Sequence, residues 1–249
     1  MHIEGLYDSI VAFKSMFSRL SMLIGKEALD ALKAKRVLIF GLGGVGGHCC
    51  DALARSGIVH FDIVDHDVVS FSNINRQIIA SQKSVGRKKV DVMEEHLLDI
   101  NPEITVVKHD CFYLPENSET FDFASYDYVI DAIDTVAAKV DIIVKCHQEG
   151  VPVISAMGCG NRLDPSGLTI MDLFKTHDDP LAKVMRQQLR KQGVDHQKVV
   201  CSTSAPLPHI EEVESDDPHR KVVPGSSAFV PSSAGIMMAY EVIKDLLKL

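Results

Sequence analysis

Short, continuous hydrophobic runs alternate along the chain with stretches in which hydrophobic residues recur every three or four positions. The first pattern predicts strands that are buried on both faces, and the second predicts amphipathic helices. Predicted strands cover residues 37–40, 58–64, 105–108, 128–133, 151–156, 168–173 and 226–230. Their alternation with helices predicts an α/β fold with a Rossmann-like, doubly wound and mostly parallel sheet.

Helical periodicity appears at the amino terminus, between the strands and at the carboxyl end. Predicted helices cover residues 8–24, 26–33, 46–56, 88–101, 135–149, 180–191 and 233–248. Asp179 followed by Pro180 is typical of a helix start, with proline at the first helical position. Residues 206–224 are charged, proline-bearing and aperiodic, which predicts a mobile loop.

No clean linker and no internal repeat interrupts this pattern, so we predict one domain over residues 1–249. Residues 1–35 form an amino-terminal helical segment in this interpretation. Residues 36–156 form the first half of the α/β domain, and residues 157–249 form a second half that extends it.

Composition narrows the possible classes of protein. A hydrophobic content of 46% permits a substantial core, and a formal net charge of −8 argues against general affinity for nucleic acid while leaving room for a local basic patch. No signal peptide and no apolar run of membrane-spanning length is evident, so we expect a cytoplasmic protein without membrane association. The six cysteines form no Cys-x-x-Cys pair, which argues against a zinc ribbon. Buried, unreactive thiols are expected, with Cys201 the strongest candidate for an exception.

The most informative local feature is the stretch Gly41-Leu-Gly43-Gly44-Val-Gly46, between a predicted strand and a predicted helix. Gly41 permits a tight turn, Gly43 lets the backbone approach a phosphate, and Gly46 lets helix and strand pack closely. The following helix presents free N–H groups to an anion. This context predicts a nucleotide-binding turn that includes Gly44.

Two carboxylates follow the next predicted strand. Asp65 ends that strand, where a carboxylate reaches ribose hydroxyls, although a strand-end cap is the simpler alternative. Asp67 is a candidate for positioning metal or ribose, and an ordinary turn aspartate is an equal alternative.

Further polar residues suit a triphosphate better than a dinucleotide. Asn73 and Gln77 can donate hydrogen bonds to phosphate oxygens, and Arg76 adds a cation where charge moves during nucleotidyl transfer. Lys89 is a second such cation. Spacing alone, in the cluster Arg87-Lys88-Lys89, favours a solvated lysine in the first turn of a helix.

Two aspartates follow the fourth predicted strand, at the edge of the sheet where ligands of such folds bind. Asp134 is a candidate magnesium ligand. Asp131 is more simply interpreted as the N-cap of the next helix.

Taken together, Asp65-x-Asp67 and residues 72–77, 85–89 and 131–134 resemble the adenylating enzymes of the ubiquitin-activating and sulfur-carrier-activating superfamily. The resemblance implies ATP and Mg²⁺ as cofactors and a carboxylate that is activated as an acyl-adenylate. It makes the predicted domain over residues 1–249 an ATP-binding one, with residues 36–156 as the nucleotide-binding half and residues 157–249 as the substrate and dimerisation half. It implies that Asp65 holds the ribose and that Asp134 helps to place magnesium.

The same resemblance implies that Asn73, Arg76 and Lys89 hold phosphates. It also implies a homodimer in which Arg19 reaches the triphosphate bound to the other subunit. From the sequence alone, Arg19 is only a polar residue on an amphipathic helix.

A narrower likeness is to the tRNA threonylcarbamoyladenosine dehydratases, carried by residues 164–165, 172–176, 179–186 and 229–235. It implies ATP-dependent cyclisation of N6-threonylcarbamoyladenosine next to the anticodon, so the anticodon stem-loop of tRNA is the expected partner. The RNA backbone would meet either Arg186, Arg190 and Lys191 or Lys83, Arg87 and Lys88.

Three alternatives remain open at this point. The chain could activate the carboxyl terminus of a ubiquitin-like or sulfur-carrier protein, act as a nicotinamide dehydrogenase, or serve as a non-catalytic nucleotide-binding scaffold. A sulfur-transfer protein partner also stays possible.

Overall fold

Seven strands form one sheet in the computed structural model, which describes residues 15–208, 210–211 and 223–249. The strands are β1 Arg36–Phe40, β2 His60–Val64, β3 Thr105–His109, β4 Tyr128–Asp131, β5 Val153–Ala156, β6 Leu168–Asp172 and β7 Lys198–Ser202. Their order in the sheet is β3-β2-β1-β4-β5-β7-β6. Only the pairing of β6 with β7 is antiparallel, so the sheet is mostly parallel, as predicted.

Helices connect these strands and cover the sheet. They are α1 Ser18–Ile24, α2 Lys26–Lys33, α3 Gly46–Arg55, α4 Lys89–Ile100, α5 Val136–Glu149, α6 Pro180–Lys191 and α7 Phe229–Leu247. No helix in these described ranges is long and apolar enough to span a bilayer.

Alternate side chains of the central strand β1 point to opposite faces of the sheet, and both faces are buried. Val37 and Ile39 belong to the core that α3, α4 and α7 cover. Leu38 and Phe40 belong to a second core, against α5. The continuous apolar sequence of β1 follows from this double coverage, and the predicted doubly wound α/β fold is confirmed.

The strand order places a switch point between β1 and β4. From β1 the chain proceeds outward through β2 to β3, then returns to β4 on the other side of β1. The connections that leave β1 and β4 therefore diverge, which opens a crevice at the carboxyl ends of these two strands.

The structure differs from the prediction at two places towards the carboxyl end of the chain. The predicted strand over 226–230 is wrong, because α7 already begins at Phe229. Pro231 lies in the first turn of α7, where the missing N–H costs no intrahelical hydrogen bond, so the apolar residues before it continue into a helix. Strand β7 was not predicted, and it is needed to join β5 to β6.

At the amino end, the predicted helix over 8–24 corresponds to α1 in its last part, and residues 8–14 lie outside the described residues. Most of the predicted loop over 206–224 also lies outside them. The ends of that loop that are described, 206–208 and 223–224, have no regular structure. The division of the chain into segments within one domain stays a prediction.

Candidate active site

A cavity of about 590 Å³ lies at the switch point, over the carboxyl ends of β1, β2 and β4. Most of the predicted site residues line it: Gly41, Gly43, Gly44, Asp65, Asp67, Asn73, Arg76, Gln77, Lys89 and Asp134. Gly46 lies directly behind the glycine turn. Arg19 is exposed on α1 and is not among the residues that line the cavity of its own subunit.

The glycine turn leaves no space for side chains at two of its positions. Gly41 has a φ of +89°, and a Cβ there would lie 2.8 Å from the carbonyl oxygen of Ala132. A Cβ on Gly46 would lie 1.8 Å from the carbonyl oxygen of Gly41. At Gly43, by contrast, a Cβ would meet nothing closer than the Gln77 Nε2 atom at 3.9 Å, so this part of the turn borders open space.

The carboxylate of Asp65 holds the shape of the glycine turn through hydrogen bonds. One carboxylate oxygen accepts the backbone N–H of Leu42 at 2.7 Å, and the other accepts the N–H of Asp67 at 2.8 Å. Asp65 is only 8% exposed, and each carboxylate oxygen keeps a further lone pair for a ligand hydroxyl. The residue therefore organises the loop and stays available to a ribose.

Lys89, the first residue of α4, is buried, so the interpretation as a solvated lysine is wrong. Its side chain is 6% exposed, and its Nζ lies 2.7 Å from Asp67 and 3.8 Å from Asp65. A buried ammonium group needs such partners to offset its lost hydration. The packing of α4 against the loop after β2 thus holds a desolvated cation in the cavity wall.

The segment after β2 supplies the remaining predicted polar groups. Arg76 Nη1 donates to the Ser72 carbonyl and to Asn75 Oδ1, both at 2.9 Å, and partial burial lowers the pKa of its guanidinium. Asn73 and Gln77 are buried, and Gln77 Oε1 has no hydrogen-bond partner in the described part of the protein. An unpartnered amide in the cavity wall is suited to a polar ligand.

The two aspartates after β4 differ completely in environment. Asp134 is exposed and lines the cavity. Asp131 is fully buried in β4 and does not cap the next helix, so that interpretation is wrong; the N-cap of α5 is Thr135. The carboxylate of Asp131 instead pairs at 2.8 Å with Lys139, whose Nζ also donates to the Ile133 carbonyl.

Sequence reasoning missed Lys139 and the aromatic wall of the cavity. Lys139 shares its helix face with the buried residues Ile142, Ile143 and Cys146, and a lysine at that spacing signals a buried ion pair. Phe112 and Tyr113 come shortly after the end of β3 and line the cavity. Their position after the carboxyl end of a strand is the same signal that predicts Asp65 at the site, and it is present in the sequence after the third strand.

The thiols near this edge of the sheet are not activated. Burial raises the pKa of Cys201 to about 11 and that of Cys159 to about 12. Both groups are therefore protonated near neutral pH and are poor nucleophiles. All six cysteines are free, and none belongs to a metal-binding cluster in the described residues.

Comparison with known proteins identifies the family of this chain. The ThiF family model matches residues 17–249. The chain is 43% identical over 240 residues to the tRNA threonylcarbamoyladenosine dehydratase of Bacillus subtilis (strain 168), an alignment that covers 93% of this chain and 94% of the relative.

Solved structures agree with this likeness over nearly the whole chain. The crystal structure of the E. coli tRNA N6-threonylcarbamoyladenosine dehydratase in complex with AMP has a TM-score of 0.85 at 32% identity, and covers 95% of this chain and 96% of that one. The ATP complex of the same enzyme has a TM-score of 0.84 at 31% identity with the same coverage. The chain therefore belongs to the ThiF family.

Proposed function

We propose that this protein uses ATP to dehydrate N6-threonylcarbamoyladenosine in tRNA to its cyclic form. The geometry that carries the adenylation half of the proposal is the presence of two cations, Arg76 and Lys89, in one cavity with the glycine turn. The pyrophosphate of a dinucleotide needs only the glycine turn, whereas a triphosphate carries enough negative charge to interact with both cations as well. The tRNA substrate comes from the relatives described above.

In the first step, a carboxylate oxygen of the threonyl group attacks the α-phosphorus of ATP. The bond from that phosphorus to the bridging oxygen breaks, and pyrophosphate leaves with its electron pair. In this proposal, Lys89 and Arg76 stabilise the charge that builds on the phosphate oxygens, while Asp65 holds the ribose hydroxyls. Because Lys89 is desolvated, its interaction with phosphate is weakly screened by water.

In the second step, a nitrogen of the same modification attacks the activated carbonyl carbon, loses its proton, and expels AMP. The oxygen lost from the carboxylate leaves in AMP, so the net change in the nucleoside is the loss of one water. Nucleophile and electrophile belong to one molecule, which gives the step the entropic advantage of an intramolecular reaction. No enzyme thiol is needed, in agreement with the raised pKa values of Cys159 and Cys201.

Mg²⁺ is part of the proposal, and the cavity has the hard oxygen ligands that this ion prefers. Asp134 is exposed in the cavity wall, and Asp67 lies close to Asp65 and His66. We propose that Asp134, which follows the carboxyl end of β4 and lines the same cavity as Lys89 and Arg76, helps to hold the ion. A bound Mg²⁺ would neutralise negative charge on the phosphates.

We further propose that the enzyme acts as a homodimer in the cytoplasm, where ATP and tRNA occur together. Helix α7 exposes Phe229, Ile236 and Tyr240, which are spaced to lie on one face, and α1 exposes Met22 and Leu23. Exposed apolar side chains of this size support a protein interface. The proposed reaction itself uses no sulfur, and a sulfur-transfer protein partner stays a separate prediction.

Mass spectrometry of nucleosides tests this function directly. Incubation of modified tRNA with the protein, ATP and Mg²⁺ should convert N6-threonylcarbamoyladenosine into a product lighter by one water, with one AMP formed per product. Label on the α-phosphorus should appear in AMP only when modified RNA is present. Pyrophosphate exchange that depends on a small carrier protein, and not on tRNA, would instead support an activator of protein carboxyl termini.

A further inference from the structure

Helix α6 is the most strongly basic element of an acidic protein. Its sequence, PLAKVMRQQLRK, contains two lysines and two arginines and no acidic residue, whereas the whole chain has a net charge of −8. The basic residues are not spread around the helix. Ala182, Met185 and Leu189 are buried against the core, and Lys183, Arg190 and Lys191 lie away from them. Arg186 is half-buried and donates to the carbonyl of Thr176, so it does not belong to the exposed set.

Among the described residues, the exposed cations of α6 have no carboxylate partners, which distinguishes them from Arg87 and Lys88. Arg87 pairs with Glu95, and Lys88 pairs with Asp110. Within the part of the chain that the structure describes, Lys183, Arg190 and Lys191 enter no ion pair. No carboxylate of the described residues neutralises these charges, so they are available to an external polyanion.

These cations also share one exposed face, and part of that face is held in place. Lys183 and Arg190 are seven residues apart, Lys191 completes the stripe, and all three are exposed. The guanidinium of Arg190 lies over the ring of Phe174, 5.2 Å from its centroid. Such an anchored guanidinium loses less conformational entropy when it binds an anion.

The start of α6 lies at the same edge of the sheet as the nucleotide cavity. One carboxylate oxygen of Asp179 accepts the N–H of Ala182 at 2.9 Å and so caps the helix. Its other oxygen accepts the N–H of Gly158 at 2.9 Å, just after the carboxyl end of β5. Strand β5 is the neighbour of β4, and neighbouring strands are about 4.8 Å apart, so the basic face begins close to the cavity.

We infer that the exposed face of α6, formed by Lys183, Arg190 and Lys191, binds the phosphate backbone of the RNA whose modified base enters the cavity. This inference rests on the proposed function and adds the surface that holds the substrate. The helix has 12 residues and is about 18 Å long, enough to follow several successive phosphates. Contacts of this kind position a nucleic acid without reading its sequence.

The test compares three triple variants of the full-length protein for binding of labelled tRNA over a range of salt concentrations. The first variant carries Lys183→Gln, Arg190→Gln and Lys191→Gln. The second, at the alternative basic cluster, carries Lys83→Gln, Arg87→Gln and Lys88→Gln. The third is matched in charge and carries Lys35→Gln, Lys108→Gln and Lys145→Gln at lysines outside α6 that pair with carboxylates.

We expect the α6 variant to bind tRNA roughly tenfold to a hundredfold more weakly near 0.15 M salt, with a salt dependence reduced by about two in slope. Its KM for tRNA should rise, while kcat and the KM for ATP stay near the wild-type values. The matched variant should bind tRNA like the wild type. Unchanged tRNA affinity and salt slope in the α6 variant would overturn the inference, as would a larger loss in the Lys83 variant.

Failure of the inference and failure of the proposed function look different. If the wild-type protein forms no cyclic product from modified tRNA, the function itself is wrong. If the wild type forms product and the α6 variant matches it in tRNA binding, only the assigned surface is wrong. Thermal unfolding of each variant, with and without ATP, shows whether the fold and the nucleotide site are intact.

Discussion

The ammonium group of Lys89 lies 2.7 Å from the carboxylate of Asp67, and this pair is held inside the nucleotide cavity before any ligand arrives. Asp65, at 3.8 Å from the same nitrogen, adds a second negative charge. A cation in this position is already desolvated and oriented, so binding of phosphate costs little reorganisation. The two carboxylates also explain why Lys89 is buried, although it belongs to a basic cluster in the sequence.

Replacement of Lys89 with methionine should remove this charge with little change in side-chain length. We expect kcat/KM for ATP-dependent cyclisation to fall by about 10²–10³-fold, because a charge-stabilising contact at the phosphates is lost. Steady-state kinetics with saturating modified tRNA measures the effect. Lys145→Met, at a half-buried lysine of α5 that pairs with Glu119 outside the cavity, is the control and should keep wild-type kinetics. Equal activity of both variants would exclude Lys89 from the phosphate site.

Alanine substitutions at two glycines of the same turn should differ in their effects on stability and on ATP binding. A methyl group at Gly43 meets nothing closer than 3.9 Å, so Gly43→Ala should change the free energy of unfolding by less than about 1 kcal/mol. If a phosphate approaches the turn at Gly43, as we propose, the methyl occupies space that it needs. We then expect the dissociation constant of ATP to rise at least about tenfold, or about 1.4 kcal/mol.

Gly46→Ala is the contrasting variant. Its Cβ would lie 1.8 Å from the Gly41 carbonyl oxygen, so α3 must move away from the turn, at a cost of about 2–3 kcal/mol of folding stability. Thermal unfolding with and without ATP separates the two effects. A Gly43→Ala protein that binds ATP normally would show that phosphate does not approach this part of the turn.

Cys201 should be dispensable for catalysis. Its thiol is 2% exposed, and burial raises its pKa to about 11, so the thiolate is a minor species at neutral pH. We expect Cys201→Ala to retain kcat within about twofold and to lose about 1 kcal/mol of stability from the small cavity. A loss of activity beyond a hundredfold in a folded variant would indicate an acyl-thioester intermediate, as expected for an activator of protein carboxyl termini.

Local rules account for the parts of the site that the sequence predicted. The glycine turn and Asp65 follow directly from a strand–turn–helix pattern, in which each residue acts on its immediate neighbours. The burial of Lys89 and the pairing of Asp131 with Lys139 depend on how helices pack against loops distant in sequence, and spacing carries little information about that. The start of α7 was misplaced for a different reason, because an apolar run before Pro231 suits an edge strand as well as a helix start.

A buried network around Asp62 should control stability in acid. Burial by itself would raise the pKa of Asp62, but hydrogen bonds from His109, Arg36 and Tyr126 outweigh it and hold the pKa below the ordinary value of 3.8. Because the pKa of Asp62 is lower in the folded state than in the unfolded state, its ionised carboxylate stabilises the fold. This stabilisation is complete above the unfolded-state pKa of about 3.9 and is lost as the pH falls through the folded-state pKa.

Asp62→Asn should therefore lower the free energy of unfolding by about 3 kcal/mol at pH 7, and the difference from the wild type should shrink below about pH 4. Urea denaturation at pH 7, 5 and 3.5 measures both quantities. The exposed Asp30 on α2 gives the control, since Asp30→Asn should change stability by less than about 0.5 kcal/mol at each pH. A difference that stays constant down to pH 3.5 would contradict the assigned pKa direction.

Arg19 provides the sharpest test of the dimer, because it is exposed and absent from the cavity of its own subunit. If Arg19 acts on the nucleotide of the other subunit, Arg19→Ala and Arg76→Ala should each be inactive as homodimers. In a mixed dimer, the subunit with Arg76 intact receives Arg19 from its partner and forms one complete site. Random reassortment of equal amounts should then restore about a quarter of wild-type activity, since half of the dimers are mixed and each has one working site of two. No recovery after subunit exchange, verified by mass spectrometry of differently tagged subunits, would show that Arg19 does not act across the interface.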